Sequence, residues 1–257
     1  KTLSVPCTAR RNFATIVVMM EFFKEIFYQP LYNGLIFLMD VIPGADAGIA
    51  VILLTVIVKL ILFPLSKRSI ETQFAMRRFQ PELDALKKQF TNDREGYARA
   101  TMAFYKEKHI NPFSGFFLLL VQLPVIISLY YVFFRGGLPE INETLRYAFI
   151  PRPEVSMEFL GLIDIAGKSI VLAVLAGITQ FFQVKLALPP PAPGTRDGSF
   201  QGELMHGMHV QMKYVMPIVA AVVAYTISGA VALYWTTSNL FAIGQELFVR
   251  KKLTEQK

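Results

Sequence analysis

The sequence predicts an all-α integral membrane protein: a core of five transmembrane helices, preceded by an interfacial amphipathic helix and interrupted by a cytoplasmic helical hairpin. Three observations predict it. Apolar residues make up 53 % of the 257-residue chain and fall in long runs, with a mean hydropathy of +0.43, unlike an ordinary soluble domain. Ten cations crowd one stretch, 66–111, between the first two long apolar runs. A single lysine, Lys59, stands inside the otherwise uncharged run 47–65.

The N-terminal residues 1–20 read as an extension. Phe13–Met20 is too short to span and has no small-residue cleavage site, so ordered chain is expected from about Met19. Val5-Pro6 before Cys7 is a poor lipoprotein-processing context. Residues 21–40 are apolar but interrupted by Glu21, Lys24, Glu25, Gln29 and Pro30, which favours a helix in the outer interface over a sixth span. Five spans follow at 47–65, 113–134, 165–186, 213–228 and 230–248. The first, nineteen residues long, is enough to cross about 30 Å of hydrocarbon at 1.5 Å per residue. The fourth is short and broken by Pro217. Only Ser228-Gly229 separates it from the fifth, so those two helices are antiparallel neighbours.

The stretch 66–111 reads as a helical hairpin. Met76, Phe79, Leu83, Leu86 and Phe90 recur at three and four residues, Thr91-Asn92-Asp93 makes a turn, and Tyr97, Thr101 and Phe104 begin a second amphipathic helix. Loop 135–163 holds as many acids as bases or more, whereas loop 187–212 opens on PPPAPG and the tail 249–257 is basic. Excess Lys and Arg mark the cytoplasmic side, so 66–111, 187–212 and the tail lie inside and the N-terminus outside. The net charge of +7 is then explained by topology, with no specific nucleic-acid partner.

Enzyme chemistry finds no footing: there is no HExxH, GxSxG or P-loop. One cysteine excludes an intrachain disulfide. His206 and His209 with Met205, Met208 and Met212 could hold a soft metal, but such residues at the start of an apolar helix read as packing, and no metal or cofactor is expected. Asn142-Glu143-Thr144 matches a glycosylation sequon, which has no meaning in a bacterium.

Lys59 is the informative residue. A cation near a span's centre costs about 2.5–3.5 kcal/mol on insertion scales. It lies about 9 Å from Leu65 along a helix, so its stem can snorkel to the interface or its charge can face inward. Position alone leaves both readings open. Thr55, Gln122, Gln180, Gln183, Ser238, Asn239 and Gln245 are further polar residues in the spans. Each can serve as interhelical glue, Gln180 and Asn239 above all, and together they suffice to line a wet cavity around Lys59.

From about Glu21 onward the chain resembles the YidC insertases of the YidC/Oxa/Alb superfamily. Four stretches in order carry the resemblance: TVIVKLILFPLSKRSIETQFAMRRFQPEL, YKEKHINPFSGFFLLLVQLPVIISLYYVF, FLGLIDI and ALYWTTSNLFAIGQELFVRKKL. FYQPLYNGLIFL is similar to the interfacial helix that precedes the core in these proteins. The resemblance implies a five-helix core around a hydrophilic groove, open to the cytoplasm and sideways to lipid but closed outside. It implies a multi-pass protein of the bacterial inner (plasma) membrane that inserts nascent membrane proteins and helps them fold.

By motif position Lys59 matches the groove's cation, usually arginine in bacterial relatives. Arginine keeps its charge and binds carboxylates through a fork, while a buried lysine offers point contacts and can lose its proton. Thr55, Gln122, Tyr234 and Ser238 match groove-lining places. Leu123, Pro124, Trp235, Met216 and Pro217 match places where substrate helices slide. Implied partners are nascent membrane proteins and membrane lipids, with a ribosome at the hairpin and basic tail and a Sec translocon as further candidates. Two rivals stand beside this: a small transporter or channel with Lys59 in its pathway, for which an internal repeat is expected and none is seen, and a chaperone that serves a translocon.

Overall fold

The computed structural model describes residues 18–255 except 91–92, 112–113, 135–137, 189–206 and 208. The sequence expectations for 1–17, for most of loop 187–212, and for Met205, His206 and Met208 lie outside the described residues.

The described chain is almost wholly helical: α1 (Gln29–Val41), α2 (Ala47–Ile61), α3 (Phe63–Arg78), α4 (Gln80–Gln89), α5 (Arg94–Glu107), α6 (Ser114–Phe134), α7 (Ile170–Ala187), α8 (Met216–Ile227) and α9 (Gly229–Glu255). A two-residue antiparallel hairpin, β1 (Glu158–Phe159) and β2 (Ile163–Asp164), lies in the loop before α7. Among the described residues only α7 is by itself long and apolar enough to cross a membrane; α2 and α3 pass together as a pair bent by 64°. Gln211–Ile227 and Leu120–Phe133 are shorter apolar helical stretches.

Prolines decide where the helices break. The run 47–65 is not straight: α2 stops at Ile61, and Pro64, in the first turn of α3, marks the bend. A proline ring has no N–H and clashes with the carbonyl four residues back. Pro81 does the same in α4, so the apolar stripe from Met76 to Phe90 crosses a helix break at Phe79 rather than lying along one helix. Elsewhere the chain absorbs its prolines. Single π-helical turns, Lys24–Tyr28 before Pro30 and Gln211–Val215 before Pro217, carry the helices through. Pro217 therefore does not break the fourth apolar helix. At the far end, α9 continues to Glu255, so the first residues of the basic tail prolong it.

α9 packs against α7, α2 and α3, while α8 covers another side of α7. Small residues permit the close approach: Ala176, Ala220, Ala224, Ala230 and Ala232 are buried, and a Cβ on Gly177 would stand 2.9 Å from that of Ala221. α1 packs one face, Tyr32, Leu35, Ile36 and Met39, at helical spacing onto α2 and α6.

One end of the bundle is sealed by the loop 138–169. Asn33 of α1 donates to Leu145 O (2.8 Å) and accepts from Tyr147 N (2.7 Å), and Tyr32 OH accepts from Asn142 N (2.7 Å). Asp46 caps α2, accepting from Gly48 N (2.7 Å) and Ile49 N (3.0 Å), and its second oxygen accepts from Leu160 N (2.7 Å). Gly229 N and Ala230 N donate to Gly167 O (2.7 Å) and Ile165 O (2.9 Å). Backbone groups that open helix ends would leave unpaired are thereby satisfied.

Candidate functional site

A cavity of about 480 Å³ opens between α2, α3, α6, α7 and α9, its largely apolar wall studded with amides, hydroxyls and the ammonium of Lys59. Its lining follows from helical spacing. On α9, Trp235, Asn239, Ala242 and Glu246 recur at four, three and four residues, with Tyr234, Ser238 and Gln245 beside them. On α3, Ser66, Ser69 and Gln73 do the same. Gln122 comes from α6, and Gln180 and Gln183 from α7.

Lys59, half-buried near the end of α2, donates from Nζ to Gln122 Oε1 at 3.2 Å, and Gln122 Nε2 in turn donates to the Tyr234 hydroxyl. Among the described residues no carboxylate pairs with Lys59. Its charge is met by an amide carbonyl, which leaves the other ammonium protons for whatever enters the cavity.

Lower along α9 the groups tie helix to helix. Trp235 Nε1 donates to Gln180 Oε1 (3.0 Å), Asn239 Nδ2 to Thr179 Oγ1 (3.3 Å), and Gln245 Nε2 to Ser66 Oγ (3.0 Å). Glu246, twelve residues beyond Tyr234 and so about 18 Å along the helix, is buried and lies 2.6 Å from Arg250 Nη2. At this end Arg77 of α3 donates from Nη2 to Leu186 O (2.6 Å) and Ala187 O (2.7 Å), and Arg250 of α9 donates to Leu186 O (2.5 Å). The last carbonyls of α7, unpaired in any helix, are held by two guanidinium groups. Burial, with the neighbouring Arg250 charge, pushes the Arg77 guanidinium below its usual range, and Glu246 opposes that shift.

Of the residues singled out in the sequence, Lys59, Gln122, Tyr234, Trp235 and Ser238 line this cavity together. Thr55 does not: its hydroxyl donates to Val51 O of its own helix (2.6 Å) and is buried. Leu123 and Met216 are exposed on the outer faces of α6 and α8, while Pro217 is buried and its carbonyl faces Gly177 of α7. Pro124 lies inside α6. Gln180 and Asn239, read above as interhelical glue, do tie α7 to α9, and with Gln183 and Gln245 they also stand in the cavity wall. Ser66, Ser69, Gln73 and Glu246 were not singled out. Their spacing along α3 and α9 was the available signal.

Among the described residues, a mostly helical bundle rich in apolar helices thus encloses amides, hydroxyls and a lysine that no carboxylate pairs. Residues 37–256 match the model of the 60Kd inner membrane protein family. The chain is 32 % identical over 209 residues to a membrane protein insertase YidC of Clostridium tetani, covering 81 % of this chain and 84 % of that protein. It is 32 % identical over 227 residues to a membrane protein insertase YidC of Fusobacterium nucleatum, covering 88 % and 97 %. The same extent of this chain matches 34 % of the longer protein of that name from Ectopseudomonas mendocina, at 31 % identity. The chain belongs to this family of membrane protein insertases and is not an enzyme.

Proposed function

We propose that the cavity is the groove through which this insertase passes the polar flank of a nascent membrane protein, with Lys59 as its attracting charge. In this reading α2, α6, α7, α8 and α9 form a five-span core, the N-terminus is outside, and the helices α3–α5 with the basic end of α9 face the cytoplasm. The observation that carries it is the bond from Lys59 to Gln122, a neutral partner, within a cavity whose wall sets amides and hydroxyls among apolar side chains. Carrying an unpaired polar group through hydrocarbon costs several kcal/mol. Six amide side chains in the wall, Gln73, Gln122, Gln180, Gln183, Asn239 and Gln245, can each donate and accept, and so take the place of water along the route.

The apolar helix of the incoming chain remains in lipid against the exposed faces that carry Leu123 and Met216. Its burial supplies the drive at about 25 cal/mol per Å², so no nucleotide is needed. The loop 138–169 closes the far end, so the polar flank dwells in the cavity until its helix is seated. A ribosome at α3–α5 and the tail, and a Sec translocon beside the core, fit the basic surface and the role. Site-specific photocrosslinking from Leu123 and Trp235 to nascent chains, with and without translocon, tests the assignment. Crosslinks from both positions in either setting are expected; crosslinks from neither would contradict it.

A further inference from the structure

We propose that the turn Leu160-Gly161-Leu162 is a membrane-inserted wedge that seats the closed end of the bundle among the acyl chains of the nearer leaflet. The chain spends conformational strain at this point on a leucine. Leu160 and Gly161 both have positive φ, 55° and 67°, where Asn-Gly would meet no steric objection. A leucine there opposes the ordinary preference of side chains with a Cβ. Nothing inside the protein rewards it: Leu160 is 60 % exposed and Leu162 84 %.

The turn is held stiffly all the same. Leu160 N donates to Asp46, Leu162 N bonds Phe159 O at 3.1 Å, and the Phe159 ring covers Gly48 so closely that no Cβ would fit. A rigid turn with an exposed leucine at each end is built to be occupied from outside.

Its place in the fold names the occupant. Asp46 caps α2, whose first twelve residues, 47–58, hold no charge. Ile165, just after the hairpin, is bonded to the first turn of α9, and α7 begins at Ile170 with exposed Ile170 and Val171. The turn is thus pinned beside the first residues of α2 and α9 and shortly precedes α7, three apolar helices. If those helices cross the membrane, the reading on which this inference rests, their starts mark the hydrocarbon boundary. Leucines set there contact acyl chains, not water.

Nitroxide labels placed one at a time at Leu160→Cys, Leu162→Cys, Val174→Cys and Glu154→Cys, on a Cys7→Ser background in proteoliposomes, test this by collision with oxygen and with a water-soluble nickel chelate. Val174 is on the exposed face of α7 and Glu154 in the exposed loop, so they serve as lipid and water references. Oxygen collisions several-fold above nickel at positions 160 and 162, as at 174, are expected. Water-like values at 160 and 162 with lipid-like values at 174 would overturn the wedge and leave the spans intact. Water-like values at 174 as well would overturn both.

Discussion

The ammonium of Lys59 on α2 donates to the side-chain carbonyl of Gln122 on α6 at 3.2 Å, and that amide in turn donates an N–H to the Tyr234 hydroxyl on α9. The three residues come from three helices and are 63 and 112 positions apart in sequence. The cation is therefore oriented by groups that carry no compensating charge. It stays available to an incoming carboxylate.

Replacing Gln122 by leucine removes the acceptor from Lys59 and the donor from Tyr234 together. A charged donor left without a partner costs about 1–3 kcal/mol or more. The Gln122→Leu protein should melt earlier in detergent and insert poorly. Tyr234→Phe, which removes one neutral partner, should cost about 1 kcal/mol. A double-mutant cycle between the two positions should show coupling above about 0.5 kcal/mol; strict additivity would contradict the chain of bonds.

Asp46 joins the start of α2 to the sealing loop through both of its oxygens. Asp46→Ala should cost about 2 kcal/mol, the loss of a helix cap plus an unpaired Leu160 amide. Thermal unfolding should show this with Asp46→Asn intermediate, since its amide oxygen can still cap the helix.

How much of this was legible in the sequence differs element by element. Lys59 announced itself because a charge inside an otherwise uncharged run of nineteen residues has few explanations. The polar face of α9 was readable in part: Ser238, Asn239 and Gln245 stood out as polar residues in an apolar run, but Glu246 was not singled out. It lines the cavity because it stands four residues beyond Ala242 on the same face of α9. Thr55 shows the limit. A threonine one turn before Lys59 suits a groove, yet its hydroxyl can instead be taken by the carbonyl four residues back, and sequence spacing does not decide between these. The run 47–65 reads as one continuous span, so the bend at Pro64 was not anticipated; α3, turned 64° from α2, packs against α6 and α9. The strands in FLGLIDI are two residues each, too short for any alternation to register.

Arg77 fastens α3, and with it the base of the α4–α5 hairpin, to the last carbonyls of α7. In Arg77→Ala, Leu186 O keeps Arg250 while Ala187 O loses its guanidinium donor. Hydrogen exchange should then quicken in the last turn of α7 and along α3, and should not change at the sealing loop. Equal exchange in both proteins would show that the clamp does not hold the hairpin base.

The central claim is that a positive charge at position 59 draws the polar flank of substrates into the cavity. Depletion of the resident insertase, with rescue by Lys59→Ala or Lys59→Arg and insertion scored for substrates with acidic or neutral flanks, measures it directly. Lys59→Arg should rescue both substrates, while Lys59→Ala should fail selectively on acidic flanks. Full rescue of acidic-flank insertion by Lys59→Ala would contradict it.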